Sequence, residues 1–324
     1  MINKCGLLLC AALSIAVLPA QAQTAASFPS KTIRLILPYP PGGGTDIIAR
    51  PLSQRLSENL KHQVVVDNRG GAGGNIGMEL AAKAPPDGYT LVIALTAQLA
   101  VNPGLYQKLP YDPLKDYEPI TLLATGPYIL VVHPSLPVRS VKELIALARA
   151  QPNQLTYASS GSGSGGHLAN ELLNSMAKVK MLHVPYKGGG PALIALVSGQ
   201  TQVLFATWAA GKPHIESGRI RALAVSTAKR LTGVDLPTVA EAALPGYDAG
   251  VWYAILAPAG TPRDIVAKLN TEILRAASHP DFKRVLSTAA IEPIGSSPEE
   301  LTRFMKVEIA KWAKVVKDAN VRVD

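Results

Sequence analysis

Apolar residues recur along this chain in short blocks, each closed by a glycine-rich turn and followed by a stretch with apolar positions every three or four residues. Thr32 to Leu37 reads as a strand, and Thr45 or Asp46 then caps a helix whose buried stripe includes Ile48, Leu52, Leu56 and Leu60. Pro51 lies inside that helix and predicts a bend. Further strands are expected at Gln63 to Asp67, Tyr89 to Ala94, Ile129 to His133, Leu155 to Ala158, Met181 to Val184, Val203 to Ala206 and Ala222 to Ser226. Helices are expected at Met78 to Lys83, Ser140 to Ala150, His167 to Met176 and Ala192 to Ser198. Beyond Pro262 the pattern turns helical, over Arg263 to Ser278, Asp281 to Thr288 and Pro298 to Asn320. Strands alternating with helices predict an α/β fold with parallel sheets covered on both faces.

The first residues have a different pattern. Lys4 precedes an apolar run from Leu7 to Leu18, and Ala20-Gln21-Ala22 matches a small-x-small cleavage site. This predicts a signal peptide cut after Ala22 and a periplasmic product. The run is too short to span a bilayer, which takes about 20 apolar residues. Cys10 raises the alternative of a lipoprotein anchor, but Leu9 stands where a small residue is expected. Cleavage removes Cys5 and Cys10, the only cysteines, so neither a disulfide nor a thiolate metal site is expected. About 300 residues remain, enough for two domains, with no further apolar stretch long enough for a membrane span.

The formal charge of +9 falls by one with Lys4. Lysines and arginines are scattered, and the densest group, Lys306 to Lys317, reads as the solvated face of a terminal helix. No basic run is interleaved with aromatics, which argues against nucleic-acid binding. The positive balance suits capture of an anion.

Candidate chemistry concentrates in the turns. More than half of the 27 glycines fall in four clusters, at Gly42–Gly44, Gly70–Gly77, Gly161–Gly166 and Gly188–Gly190. Each cluster follows an expected strand and precedes a helix, where open α/β sheets bind ligands and free backbone N–H groups hold anions. Gly161-x-Gly163-x-x-Gly166 has the spacing of a dinucleotide fingerprint but lacks the acidic residue about 20 positions on. Gly42-Gly43-Gly44-Thr45 lacks the ending of a phosphate loop, so no cofactor is expected. Ser162, Ser164 and His167 suggest a hydrolase, yet neither serine has the glycine required two residues before it. His133, His183 and His214 are dispersed without metal-ligand spacing, and no metal site is expected.

Several stretches together are more specific. They include Ile33-Arg34-Leu35-Ile36-Leu37-Pro38-Tyr39-Pro40-Pro41-Gly42-Gly43-Gly44-Thr45-Asp46, Val66-Asp67-Asn68-Arg69-Gly70-Gly71-Ala72-Gly73-Gly74, His183-Val184-Pro185-Tyr186-Lys187-Gly188 and Ala257-Pro258-Ala259-Gly260-Thr261-Pro262. In these the chain resembles the Bug family, the substrate-binding components of tripartite tricarboxylate transporters. That resemblance implies a non-catalytic protein with a type II periplasmic-binding-protein fold and a double hinge. The crossings would lie near Leu123 to Pro127 and Pro245 to Val251, with one lobe of residues 23–124 and 248–324 and another of 125–247.

The resemblance further implies a small carboxylate held by backbone amides, hydroxyls and water. Its contacts would be Tyr39, Gly43, Gly44, Thr45, Asp46 and Thr96 from one lobe, and Ser160, Gly161, Ser164, Tyr186 and Ala206 from the other. Asp46 either caps its helix or touches ligand. Relatives often carry Asp where this chain has Ala206, followed by Thr207 and Trp208, which makes an amino-acid ligand less suitable and an aromatic or apolar carboxylate more so. The implied partners are integral-membrane transporter subunits served by a monomer that closes on its ligand. A receptor-docking sensor and a Ser/His hydrolase are the competing readings.

Overall fold

The computed structural model describes residues 28–41, 44–231 and 233–318. The expected signal peptide, Gly43 and the last residues of the expected terminal helix lie outside this set.

Lobe 1 begins with β1 (Ile33–Leu37), α1 (Gly44–Leu60), β2 (Val64–Asn68), α2 (Asn75–Ala82) and β3 (Thr90–Leu95). A π-helical turn, Ala97–Val101, leads into the short α3 (Asn102–Leu105), and β4 (Tyr117–Gly126) then runs toward the second lobe. Lobe 2 holds β5 (Tyr128–Val132), α4 (Val141–Ala150), β6 (Thr156–Ser159), α5 (Gly165–Ala177) and β7 (Leu182–Pro185). It continues with α6 (Gly189–Val197), β8 (Val203–Thr207), α7 (Trp208–Glu216), β9 (Arg221–Val225) and α8 (Val239–Ala242). The chain returns through β10 (Val251–Pro258) to α9 (Arg263–Ser278), α10 (Pro280–Thr288), β11 (Glu292–Pro293) and α11 (Pro298–Asp318).

Two sheets result, ordered β11-β4-β10-β3-β1-β2 and β7-β6-β8-β5-β9. Both faces of each are covered, as the alternation predicts, but the sheets are mixed rather than parallel. β1 pairs in parallel with β2 and β3, while β10 lies antiparallel to β3 and β4; β5 is likewise antiparallel to β8 and β9. The reversals fall on the strands that cross between lobes. A strand entering a sheet from outside its βαβ succession is not bound by the parallel direction that a helical crossover imposes.

The alternation of side chains divides the cores. Leu35, Leu37 and Ile93 face α1 and α9 on one side of the first sheet, while Ile36, Val92 and Ala94 face the opposite side. That second core runs on through Leu105, Tyr157, Leu168 and Tyr247, so the lobes share apolar packing at one side of their seam. Pro51 is accommodated within a continuous α1, although it offers no N–H to the carbonyl of Ile47.

The crossing is a stapled ribbon. Val251 pairs with Gly126 at the end of the β4–β10 ladder, and Pro127 separates β4 from β5. The buried Ser226 hydroxyl accepts from the Tyr128 N–H at 2.9 Å and donates to the Ala249 carbonyl at 2.8 Å, so it joins both crossings.

Candidate ligand site

Three helix starts face the seam between the lobes. The first turn of α1 carries Thr45 and Asp46, both buried. Asp46 pairs with Arg50 at 3.2 Å and accepts from the Asn68 side-chain amide at 3.4 Å. α5 opens at Gly165 behind Ser164, whose hydroxyl accepts from the His167 N–H. α7 opens at Trp208 behind Thr207, whose side chain makes no cap.

Close approach explains two glycines of the α5 turn. Gly163 has φ 77°, and a Cβ there would stand 2.4 Å from Leu105 Cδ2 of α3, across the seam. A Cβ on Gly165 would stand 2.1 Å from the Tyr128 hydroxyl. The Gly188–Gly190 cluster differs, with nothing within 4 Å of an added Cβ at any of the three.

Phenols line the other side of the seam. Tyr39, at the exit of β1, accepts from Gln98 Nε2 at 2.6 Å; that amide also donates to the Gly73 carbonyl at 2.6 Å. Burial raises the Tyr39 phenol above its ordinary value, and the Gln98 bond partly offsets this. Burial raises Tyr128 and Tyr253 as well, with further upward contributions from Tyr253 and Tyr39 on Tyr128, and from Tyr39 on Tyr253. All three phenols belong to or pack against one apolar cluster together with Ile47 and Ala209, and burial keeps them protonated at neutral pH. The Tyr128 and Tyr253 hydroxyls have no hydrogen-bond partner among the described residues. They offer neutral O–H donors, which with helix N–H groups suit a carboxylate.

The remaining expected contacts are distributed as follows. The Thr96 hydroxyl accepts from the Trp252 N–H at 3.0 Å, which ties β3 to the returning β10. Ser160 is exposed on the rim; its carbonyl accepts from the Gly188 N–H, and Gly161 has φ 128°. Tyr186 is half-buried and packs against the lobe 2 core, its N–H on the Ser159 carbonyl. Ala206 is buried opposite Ile129, its methyl in the cluster with Ala158 and Leu196. Ala206→Asp is therefore expected to destabilise the lobe by about 2 kcal/mol through an unpaired buried polar group. An unchanged melting temperature would show that the side chain has an outlet to the seam.

Sequence spacing missed a histidine pair. His167 and His183 stack with ring centres 3.9 Å apart, and Tyr157 stacks on His183 at 4.9 Å. His167 Nδ1 accepts from the Gly163 N–H at 3.0 Å, and His183 Nε2 meets the Ser159 hydroxyl at 2.6 Å. Both imidazoles therefore hold the Gly-rich turn. Ser159 is fully buried, so it presents no nucleophile, and the described residues hold no group of three metal-ligating side chains.

Two α/β lobes joined by a double crossing, with helix starts and neutral donors turned toward the seam, define a cleft-binding protein. The model of the tripartite tricarboxylate transporter family receptor matches residues 48–321, and this chain belongs to that family of periplasmic solute-binding proteins, which are not enzymes. It is 36% identical to BugT of Bordetella pertussis over 93% of each chain. The structure of Rpa4515 from R. palustris with adipate superposes with a TM-score of 0.86 at 41% identity, covering 91% of this chain and 99% of that one. MatC from Rhodopseudomonas palustris with bound malate gives 0.82 at 33% identity, covering 89% and 100%.

Proposed function

We propose that this protein is exported by a signal peptide cut after Ala22, captures a small carboxylate as a monomer, and passes it to integral-membrane transporter subunits. The ligand sits between a lobe of residues 23–124 and 248–324 and a lobe of 125–247. The observation that carries this reading is the packing of Ile47 of α1, Ala209 of α7 and the Tyr39, Tyr128 and Tyr253 side chains in or against one cluster, with the α5 turn against Leu105 and the Tyr128 hydroxyl. Helix N-termini attract anions through free N–H groups and a partial positive charge, and the phenols add donors without adding a cation. The adipate and malate of the two relatives are of the same chemical class. Closure follows from differential affinity: a ligand that bridges both lobes favours the form in which they meet.

A thermal-shift panel of dicarboxylates, tricarboxylates, aromatic acids and amino acids tests this. A ligand at 100 times its Kd stabilises the native state by about 2.7 kcal/mol, so a true ligand moves the melting transition visibly. A panel in which no carboxylate shifts the transition would overturn the proposal.

A further inference from the structure

α11 packs on β4, the π-helical turn, α3 and α5, and on that side it buries Leu301, Met305, Glu308, Trp312 and Val316. At about 100° per residue, Arg303, Lys306, Lys314 and Lys317 fall within about 80° of one another on the opposite side. All four are exposed, and so are Ala310 and Val307, the latter at 66%. The stripe they form is about 21 Å long. Glu299 and Glu300 precede it in the first turn and Glu308 points inward, so no carboxylate interrupts it.

This arrangement is unfavourable within the fold. Arg303 and Lys306 stand three residues apart, as do Lys314 and Lys317; side chains at that spacing are neighbours on a helix, and like charges there repel. Arg303, Lys306 and Lys317 have no ion-pair partner among the described residues. Exposed cations elsewhere are paired, as Lys83 is with Glu79 and Arg230 with Glu241. An external anionic surface would offset the repulsion.

The composition of the stripe selects the kind of surface. Three of the four cations are lysine, a compact point charge without the planar fork that arginine uses to pair with carboxylates. Protein interfaces favour arginine and aromatic residues and are depleted in lysine, and this stripe carries no exposed aromatic ring. Phospholipid headgroups instead present diffuse negative charge, which attracts lysines within about 8 Å at physiological ionic strength. Val307 adds an apolar contact within the stripe.

We propose that the exposed face of α11 binds anionic phospholipid, so that the protein is held at a membrane surface rather than acting from free solution. The proposal uses no residue of the cleft, and its failure leaves carboxylate binding untouched.

Co-sedimentation of the mature protein with vesicles decides it. At about 0.05 M salt, vesicles of phosphatidylcholine with one third phosphatidylglycerol are expected to bind the protein, and vesicles of phosphatidylcholine alone to leave it in solution. Raising the salt to about 0.5 M is expected to weaken binding at least fivefold. Arg303→Gln, Lys306→Gln and Lys317→Gln together are expected to weaken it at least tenfold without moving the melting temperature. Lys142→Gln, Lys180→Gln and Lys229→Gln together remove the same charge from exposed positions elsewhere, and are expected to weaken it less than twofold. Equal losses in the two triple variants would assign binding to net charge and overturn the role of α11. No binding by the wild type, or equal binding to both kinds of vesicle, overturns lipid recognition. Reduced transport with unchanged vesicle binding in the α11 variant would make this face a protein interface, which also overturns the proposal.

Discussion

Lowering the pH from 6.5 to 4 is expected to remove roughly 4 kcal/mol of folding stability, through His167 and His183. Burial, and secondarily the adjacent His183 ring, holds His167 down to about 3, and burial holds His183 down to about 4. Unfolded imidazoles titrate near 6.5. Between these values the unfolded chain takes up protons that the folded chain does not, so stability increases with pH. It is fully present above about pH 6.5 and is lost as the pH falls toward the folded values.

Each imidazole contributes at most about 1.4 kcal/mol per pH unit. His183 retains some exposure, so the expected slope for the pair, averaged from pH 6.5 to 4, is about 1.6 kcal/mol per unit. Protonated Nδ1 of His167 no longer accepts the Gly163 N–H, which loosens the turn that meets α3. Urea denaturation at pH 7, 6, 5 and 4 measures the slope. His167→Gln keeps an acceptor but removes one titrating ring, and is expected to halve it. Equal slopes in the two proteins would assign the acid sensitivity to other groups.

Glu308→Ala is expected to cost about 3 to 4 kcal/mol of stability. One carboxylate oxygen accepts from both Trp252 and Trp312, and the other lies 3.2 Å from Lys311 Nζ. Alanine leaves two buried indole N–H groups without partners and opens a space where α11 packs on β10. Loss of partners costs more than the bonds themselves are worth, because both donors stay desolvated. Glu308→Gln retains an acceptor oxygen and is expected to cost only about 1 kcal/mol. Chemical denaturation of the three proteins separates the cases; equal midpoints for alanine and wild type would mean that water replaces the carboxylate.

The order of elements was largely legible. Thr32 to Leu37 alternates and is followed by an amphipathic stretch; both elements form within a residue or two of the expected places, but α1 starts at Gly44, so Thr45 and Asp46 lie in its first turn rather than capping it. β4 and β10 were not legible as strands. Tyr117–Gly126 and Val251–Pro258 carry nearly unbroken runs of apolar and small residues, a pattern that length and flanking turns alone do not assign. Losing these strands meant losing the mixed sheets, and with them Tyr128 and Tyr253, which stand at the crossing. The α5 turn is legible as glycine-rich because Gly163 needs both a left-handed backbone and a close neighbour.

By itself, then, the sequence determined an α/β succession, glycine-rich turns ahead of several helices, and a family resemblance that the matching receptor model bears out. These are local properties, carried by periodicity and by residues within a turn of one another. Tertiary structure alone decided which histidines stack and which phenols share one cluster. Those depend on segments far apart in the chain meeting across a double crossing, and no spacing along the sequence encodes which faces will meet.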